Sequence, residues 1–366
     1  MDVSIYKKEL VELLKDGGCM AGNSKAMPIL DNAKFTFKNG QVVVESCDTE
    51  CQVAKRGHYI YCGEEMEFLV NPNDFLKAIN TLKDDNINFT VNDKVLIVKH
   101  KKGKMELPVF DASEFIKPKQ LECTNTFAIK SEKLFDWINT AKVFASSDGL
   151  RPILMGMYLY IDAQNIGICA TDINKLFTDS YEHGLQIKEP ISATIPSKCF
   201  NAIQSVINGT DEVEVRLSQR DITFKTTNSR LTCTQNEGNY PNFRAVIPVS
   251  NNIIIDVDKS EIKESIDRSN IFSNKSTSLL ELDVRDNQIN LSAVDIDFQK
   301  SSTEEVRCKN TTGNIKIGVN GEMLSKCLNC LKGEDVRFEM SEPNRAVVLK
   351  GNVDENAIML FMPMLI

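Results

Sequence analysis

The chain has 366 residues, of which 42% are hydrophobic and 26% are charged, and its formal net charge is −8. This length favours two or three domains, and the composition is typical of a folded protein rather than a disordered one. The acidic balance argues against a protein that binds nucleic acid over its whole surface, but it permits a local basic lining. Neither a signal-peptide core nor a long apolar run occurs, and the 11 cysteines are scattered. We therefore expect a soluble protein of the reducing cytoplasm.

An internal repeat is the strongest feature of the sequence. A strand pair that ends on an acidic turn recurs as KFTFKNGQVVVESCDTE, MYLYIDAQNIGICATDIN and LLELDVRDNQINLSAVDID. The repeat makes Asp48, Asp172 and Asp295 equivalent. A second block follows each turn, beginning VNPNDF, IPSKCF and VNGEML. Because two separate blocks keep the same period, the sequence predicts three copies of one structural unit.

Each copy reads as a helix, a strand pair, an acidic turn, a further strand, a second helix and three strands. The opening helices are predicted over residues 6–17, 130–145 and 259–272. The second helices are predicted to begin after Asn71-Pro72, Pro196-Ser197 and Asn320-Gly321. We expect an α+β fold of three domains, over residues 1–123, 124–248 and 249–366.

The helices suggest a ring around a nucleic acid. A helix with its side chains is about 10 Å across, so six helices in a closed ring leave a bore of only about 9 Å, whereas twelve leave about 28 Å. B-DNA is roughly 20 Å thick, so two chains, but not one, would surround a duplex in this way. Lysines on the helices, among them the equivalent Lys77 and Lys326, would attract phosphates without sequence preference. For any single lysine, a merely solvated helix face is the alternative.

Signals for catalysis or metal binding are weak. The three equivalent aspartates could be metal ligands, but copies in three domains do not converge on one ion. Cys327 and Cys330 form a Cys-x-x-Cys inside a predicted helix without the further ligands that zinc needs. The three histidines lie beside no nucleophile motif, and no GxxxxGK loop occurs. We expect no enzymatic activity, no metal and no cofactor.

Five stretches occur together in a characteristic order. They are MPILDN (27–32), RPILMGMYL (151–159), ATDINKL (170–176), EGNYPNFRAVIP (237–248) and the final MPMLI. Together they resemble the bacterial beta sliding clamp family, the processivity subunit of the replicative DNA polymerase. The resemblance covers the chain from the first helix to the last residue. It implies three repeated clamp-type domains with two helices inside and antiparallel sheets outside, and a head-to-tail homodimer that forms a six-domain ring around duplex DNA.

The resemblance also implies an apolar pocket that docks polymerases, including the polymerase III alpha subunit, the clamp loader, and mismatch-repair and other clamp-motif proteins. Such a cleft would take the Leu and Phe anchors of a short peptide, and its methionines would let it repack. The matching positions are Arg151, Leu154, Thr171, Asp172, Leu176, Pro241, Val246, Asn320, Met323, Leu360, Met362, Pro363 and Met364.

Further contacts are predicted for DNA and for the dimer. The predicted DNA-binding residues are Lys25, Lys77, Lys198 and Lys326. The predicted dimer contact pairs Met105 and Leu107 with Ile271 and Phe272, although burial in an ordinary core is the alternative for these four. The family usually has Gly-His-Arg where this chain has Ile173, Asn174 and Lys175, and a basic position near the pocket is Ala245.

Three functions remain open from the sequence. The first is a DNA-encircling clamp and docking hub without catalysis. The second is a diverged relative that acts only as a protein scaffold. The third, from a different class, is a hydrolase that uses the acidic turns around Asp172.

Overall fold

The protein, seen in a computed structural model, consists of two compact units. Unit 1 comprises Met1–Phe135 and Lys198–Gln235, and unit 2 comprises Asp136–Ser197 and Asn236–Ile366. The structure describes residues 1–22, 27–92, 94–116, 125–187, 189–310, 312–354 and 356–366.

In its described residues, the first copy of the repeat has nine strands and two α-helices. The strands are β1 (Asp2–Tyr6), β2 (Ala33–Lys38), β3 (Gln41–Cys47), β4 (Cys51–His58), β5 (Tyr61–Cys62), β6 (Met66–Val70), β7 (Asn86–Val91), β8 (Val95–His100) and β9 (Gly103–Pro108). The helices are α1 (Lys7–Glu12), continued by a π-helical turn over Leu13–Gly17, and α2 (Pro72–Asn80). Asn71 caps α2, because its side-chain oxygen accepts hydrogen bonds from the N–H groups of Asn73 and Asp74.

The described part of the second copy has eight strands and two α-helices. The strands are β10 (Asn125–Lys130), β11 (Gly156–Ile161), β12 (Asn165–Thr171), β13 (Lys175–Glu182), β14 (Ile191–Pro196), β15 (Glu212–Leu217), β16 (Asp221–Lys225) and β17 (Ser229–Thr234). The helices are α3 (Ser131–Phe144) and α4 (Phe200–Ile207). The second helix starts later than predicted, since Ser197–Cys199 form a 3-10 turn.

Where the structure describes the third copy, it has nine strands and two α-helices. The strands are β18 (Ile253–Asp258), β19 (Leu279–Arg285), β20 (Gln288–Asp295), β21 (Lys300–Arg307), β22 (Lys309–Asn310), β23 (Ile315–Asn320), β24 (Asp335–Met340), β25 (Val347–Gly351) and β26 (Ile358–Phe361). The helices are α5 (Lys259–Asn270) and α6 (Gly321–Cys330). Asp258 caps α5 by accepting from the N–H of Glu261 at 2.8 Å.

One backbone hydrogen bond appears in all three copies and confirms the repeat. The first residue of each opening helix donates its N–H to a carbonyl just before a later strand. The pairs are Lys7 to Asp85 at 2.7 Å, Ser131 to Asp211 at 2.9 Å and Lys259 to Glu334 at 2.8 Å. The predicted α+β fold of three repeated domains is therefore confirmed.

Unit 1 contains two antiparallel sheets. The strand orders are β5-β1-β7-β8-β9 and β10-β15-β16-β17-β4-β3-β2-β6. Phe35, Phe37, Phe75 and Phe89 are buried between them and α2, with ring centroids 5.5 to 6.5 Å apart along the contacts that link them. The eight-stranded sheet joins two copies of the repeat, since β17 of the second pairs with β4 of the first.

Unit 2 also contains two antiparallel sheets. The strand orders are β14-β11-β12-β13-β26-β25-β24-β18-β22 and β21-β20-β19-β23. The nine-stranded sheet again joins two copies, because β26 of the third pairs with β13 of the second. Strand β9 lies at one edge of the five-stranded sheet in unit 1, opposite β5, and β21 lies at one edge of the four-stranded sheet in unit 2, opposite β23.

Three observations bear on the classes of function considered above. No helix in the described part of the chain is long and apolar enough to cross a membrane. Among the described residues, no cluster of three or more His, Cys, Asp or Glu side chains could hold a metal ion. Cys327 and Cys330 lie in α6, as predicted, and burial raises the pKa of the Cys327 thiol to about 12.

Candidate partner-binding groove

The residues predicted to bind partner peptides all lie in unit 2. An open groove of about 500 Å³ runs beside the turn between β12 and β13 and is lined by residues 145–148, Arg151 and residues 172–175. Of the thirteen predicted positions, Arg151 and Asp172 are brought together in the lining of this groove. Ser146 and Ser147 line it too and were not predicted, since two serines after a helix carry no specific signal.

The turn between β12 and β13 forms one rim of this groove. The Thr171 hydroxyl accepts from the N–H of Ile173 at 3.0 Å and donates to the carbonyl of Lys175 at 2.7 Å. Asp172 accepts from the N–H groups of Asn174 and Lys175 and forms an ion pair with the Lys175 ammonium. Ile173 has a φ of 85°, which glycine normally supplies at the first central position of a type II′ turn. A polar network thus holds a strained, 54% exposed isoleucine at the rim.

An apolar cluster lies beside this turn, where β13 pairs with β26. Leu176 lies directly opposite Leu360, and their relative exposures are only 3% and 4%. The other buried members are Tyr160, Cys169, Phe243, Ala346 and Val348. Leu154 is also buried. These leucines therefore shape the site from beneath and offer little free surface to a peptide.

The segment Met362–Ile366 passes along this region and is held by two backbone hydrogen bonds. Met362 donates its N–H to the carbonyl of Asn174 at 2.8 Å, and Met364 donates to the carbonyl of Gly318 at 2.8 Å. A Cβ on Gly318 would lie 2.7 Å from the Met364 carbonyl oxygen. Gly318 therefore permits the close approach, and a glycine inside the β23 pattern is the sequence signal that could have revealed it.

Asn320 and Met323 lie where β23 passes into α6. The Asn320 side chain accepts from the N–H of Met323 at 2.8 Å and donates to the carbonyl of Thr277 at 2.9 Å. Met364 forms an antiparallel bridge with Gly318 in β23. Met364 is therefore paired two residues before Asn320 along that strand. The cap explains why asparagine stands here.

Pro241 and Val246 are exposed in the connection between β17 and β18. Phe243, which lies between them, packs in the apolar cluster beside Leu176 and Leu360. Neighbouring Arg244 lies 4.6 Å from the ring centroid of Tyr160 and 3.1 Å from an Asp162 carboxylate oxygen. The structure thus places Pro241 and Val246 on a segment whose anchor is Phe243.

Charge near this cluster is stabilised by local donors. Burial opposes the charge of Asp162, but the N–H groups of Asn165 and Gln164 and the guanidinium of Arg244 together lower the pKa of that carboxyl group. Tyr240 donates to the carbonyl of Cys169 at 3.4 Å, and burial raises the pKa of its hydroxyl. Asp162 is therefore charged and Tyr240 is neutral near neutral pH.

The lysines predicted to contact DNA lie at helices in both units. Lys77 on α2 and Lys326 on α6 are each the sixth residue of the helix and are exposed. Lys77 is 3.2 Å from Asp74. Lys198, just before α4, forms an ion pair with Glu50; burial opposes its charge, but this hydrogen bond raises its pKa. Lys25 lies outside the described residues.

Of the four residues predicted at the dimer contact, two lie on the edge strand β9 and pack partly against the core of unit 1, and two follow α5 and are exposed. Met105 and Leu107 are half-buried on the edge strand β9. Ile271 and Phe272 follow α5 and are 71% and 38% exposed. Arg268 on α5 bonds Glu304 on β21 at 2.7 Å, so the end of this helix lies against that edge strand.

Family models match the whole repeat. Those described as the N-terminal, central and C-terminal domains of the DNA polymerase III beta subunit match residues 1–118, 128–242 and 244–365. Among curated proteins, the beta sliding clamps of Pseudomonas aeruginosa and Bacillus subtilis are each 22% identical to this chain, with 100% and 99% of both chains covered.

Solved structures agree in fold. A sliding clamp from Pseudomonas aeruginosa bound to griselimycin superposes with a TM-score of 0.94 at 22% identity over 100% of both chains. One from Bartonella birtlesii, also bound to griselimycin, gives a TM-score of 0.93 at 19% identity over the same share.

Proposed function

The chain belongs to the DNA polymerase III beta subunit family, and on this premise we propose that it acts as a DNA sliding clamp in the cytoplasm. Two copies form a ring around duplex DNA, tether the replicative polymerase and dock the clamp loader and repair proteins, without catalysis. The domains that build the ring have the boundaries 1–123, 124–248 and 249–366.

This proposal rests on the strand pairings that join one copy of the repeat to the next. Two such joints form within the chain, and the strands equivalent to a third joint are not paired with each other. Within the chain, β17 pairs with β4, and β26 pairs with β13. In the same series, β9 of the first copy and β21 of the third are left as edge strands. An open sheet edge tends to pair with another chain. We therefore place β9 of one protein chain beside β21 of a second chain. Each protein chain has one β9 edge and one β21 edge, so two chains can close head to tail.

The repeat also gives the register of this third joint. Cys51, Lys175 and Lys300 are the first residues of β4, β13 and β21. Cys51 pairs with Cys233, and Lys175 with Phe361. Leu107 is the position equivalent to Cys233, because each lies opposite the second residue of the preceding strand. Lys300 of one protein chain is therefore opposite Leu107 of the other chain.

Charges at the joint fit this register. Counting outward from Lys300 and Leu107, Glu305 comes to lie opposite Lys102, and both side chains are exposed in the single chain. Opposite charges across strands are favourable. Met105 comes opposite Ser302 on the face that α5 covers, which brings it toward Ile271 and Phe272, the predicted contact.

Sequence-independent binding to DNA comes from the lysines of the helices. Lys77 and Lys326 stand at equivalent positions in two copies of the repeat, and Lys198 precedes the second helix of the remaining copy. Lys25 belongs to the same proposed set. Contacts of this kind are salt-sensitive and permit sliding.

Partners bind at the groove in unit 2. A short apolar motif of the polymerase III alpha subunit, the clamp loader or mismatch-repair proteins inserts beside the turn 171–175 and the segment 362–366. The thirteen predicted residues supply its rim, its buried base and its methionines. Methionine side chains adapt to different partners.

Retention on circular DNA tests the clamp. After loading on nicked circular DNA, the protein is expected to stay bound at high salt and to be lost when the circle is cut. Sedimentation of the free protein is expected to give a dimer. A stable monomer, or equal retention on linear and circular DNA, would contradict the proposal and leave a scaffold without topological binding.

A further inference from the structure

The turn between β20 and β21 differs from its two equivalents. Two residues separate Asp48 from Cys51, and two separate Asp172 from Lys175, whereas four, Ile296 to Gln299, separate Asp295 from Lys300. The longer turn carries two large apolar side chains. Ile296 is 84% exposed and Phe298 is 66% exposed in the single chain.

The two intrachain joints show where such a turn points. At the first joint, Thr234, the residue after Cys233, donates its N–H to the carbonyl of Glu50 at 3.0 Å. At the second, Met362 donates in the same way to Asn174 at 2.8 Å. At both joints, the turn before the first paired residue therefore lies beside the residue that follows the last paired residue of the other strand.

The equivalent position in the first copy is Pro108, followed by Val109 and Phe110. Proline has no N–H, so the hydrogen bond found at the other two joints is absent here. Phe110 is 45% exposed, although its backbone is fixed by hydrogen bonds to Leu69 of 3.0 Å in both directions. An exposed aromatic ring thus lies two residues beyond the position that is equivalent to Thr234 and Met362.

We propose that Ile296 and Phe298 of one protein chain pack against Pro108 and Phe110 of a second chain. This contact stabilises the pairing of β21 with β9. This inference rests on the proposed head-to-tail dimer and identifies an apolar contact at its end. Burial of these side chains replaces the hydrogen bond that Pro108 cannot donate.

The turn is ordered before association. The Lys300 ammonium lies 5.4 Å from the ring centroid of Phe298, and Asn274 donates to the Asp297 carboxylate at 3.3 Å. Contacts that are already in place reduce the conformational entropy lost on binding. The turn that carries Ile296 and Phe298 and the backbone of Phe110 are therefore both held by contacts within the single chain.

Disulfide trapping tests the contact in the full chain. Phe110→Cys combined with Phe298→Cys is expected to give a covalent dimer on mild oxidation, and neither single variant should do so. Phe110→Cys with Val294→Cys is the matched control, since Val294 is 59% exposed on β20, one strand farther from the joint. Trapping no greater than in this control, in a protein that sediments as a dimer, overturns the contact but leaves the clamp standing. A monomer overturns both.

Dimer affinity gives a second measurement. Ile296→Ser with Phe298→Ser should raise the dissociation constant of the dimer by about tenfold or more, as loss of buried aromatic anchors does. Both side chains are exposed in the single chain, so the variant should fold. Leu150→Ser, at a site 89% exposed in unit 2, should leave the constant unchanged. An unchanged constant in the double variant overturns the proposal.

Discussion

Leu176 and Leu360 lie directly opposite each other where β13 pairs with β26. This pairing joins the second and third copies of the repeat in one sheet and buries both leucines. It also fixes the next segment of chain, because Met362 follows two residues after Leu360 and bonds the turn that precedes Lys175. The candidate groove is thus a consequence of the joint.

Deletion of Met362–Ile366 should abolish binding of polymerase and clamp-loader peptides while the dimer survives. The segment crosses from Asn174 to Gly318 and supplies the exposed Met362. Peptide binding by fluorescence anisotropy and sedimentation of the same sample check this. Val249→Ser is the control for a general loss of apolar surface, since Val249 lies outside this segment and is 99% exposed. Normal peptide affinity in the truncated protein would show that the segment is only a strand end.

Gly318→Ala should weaken partner-peptide binding by about tenfold. The new Cβ would meet the Met364 carbonyl oxygen at 2.7 Å and the Ile366 side chain at 2.5 Å, so the segment 362–366 must move. Gly313→Ala is the matched control, because a Cβ there meets nothing closer than 3.6 Å. Equal affinities for the two variants would mean that the segment does not position the peptide.

Ile173→Gly should stabilise the protein by about 1 kcal/mol. A β-branched residue at positive φ costs about 1–3 kcal/mol, which exceeds the entropy that glycine gains in the unfolded chain. Urea denaturation measures the change. Asn174→Gly, at the next position of the turn, should instead be neutral or destabilising. A lower denaturation midpoint for Ile173→Gly would show that contacts of the isoleucine outweigh its backbone strain.

Lys77→Gln with Lys326→Gln should reduce the salt dependence of DNA binding. Each lost phosphate contact lowers the slope of log affinity against log salt by about 1. Lys38→Gln with Lys316→Gln, which removes two exposed lysines of the strands β2 and β23, is the charge-matched control. An identical slope in the double variant and the control would remove these two lysines from the DNA-facing set.

Lys55 should stabilise unit 1 in a pH-dependent way. Its ammonium is 2.7 Å from Glu12 and 3.3 Å from Asp16. Burial opposes the charge, but these carboxylates raise the pKa above its usual 10.5. The contribution is therefore complete below pH 10.5 and is lost as pH rises through the higher folded-state value.

Lys55→Met should cost about 2 kcal/mol at neutral pH, since it removes the ammonium group that pairs with two carboxylates. The difference from the unmodified protein should shrink above pH 10.5 in urea titrations. Lys34→Met, which removes a more exposed ion pair with Glu67, should cost less. A pH-independent difference would assign the effect to packing of the lysine stem.

The sequence alone determined the threefold repeat, the helices and the family, because these depend on local periodicity and on short motifs. It also named Asp172 and Arg151, which share a groove. The tertiary structure decided which strands join the copies and that β9 and β21 remain open, since strand pairing is set by contacts distant in sequence. It likewise revealed that Gly318 lies against the backbone of Met364 and that Phe298 is exposed on its turn, since neither residue type specifies its distant neighbours.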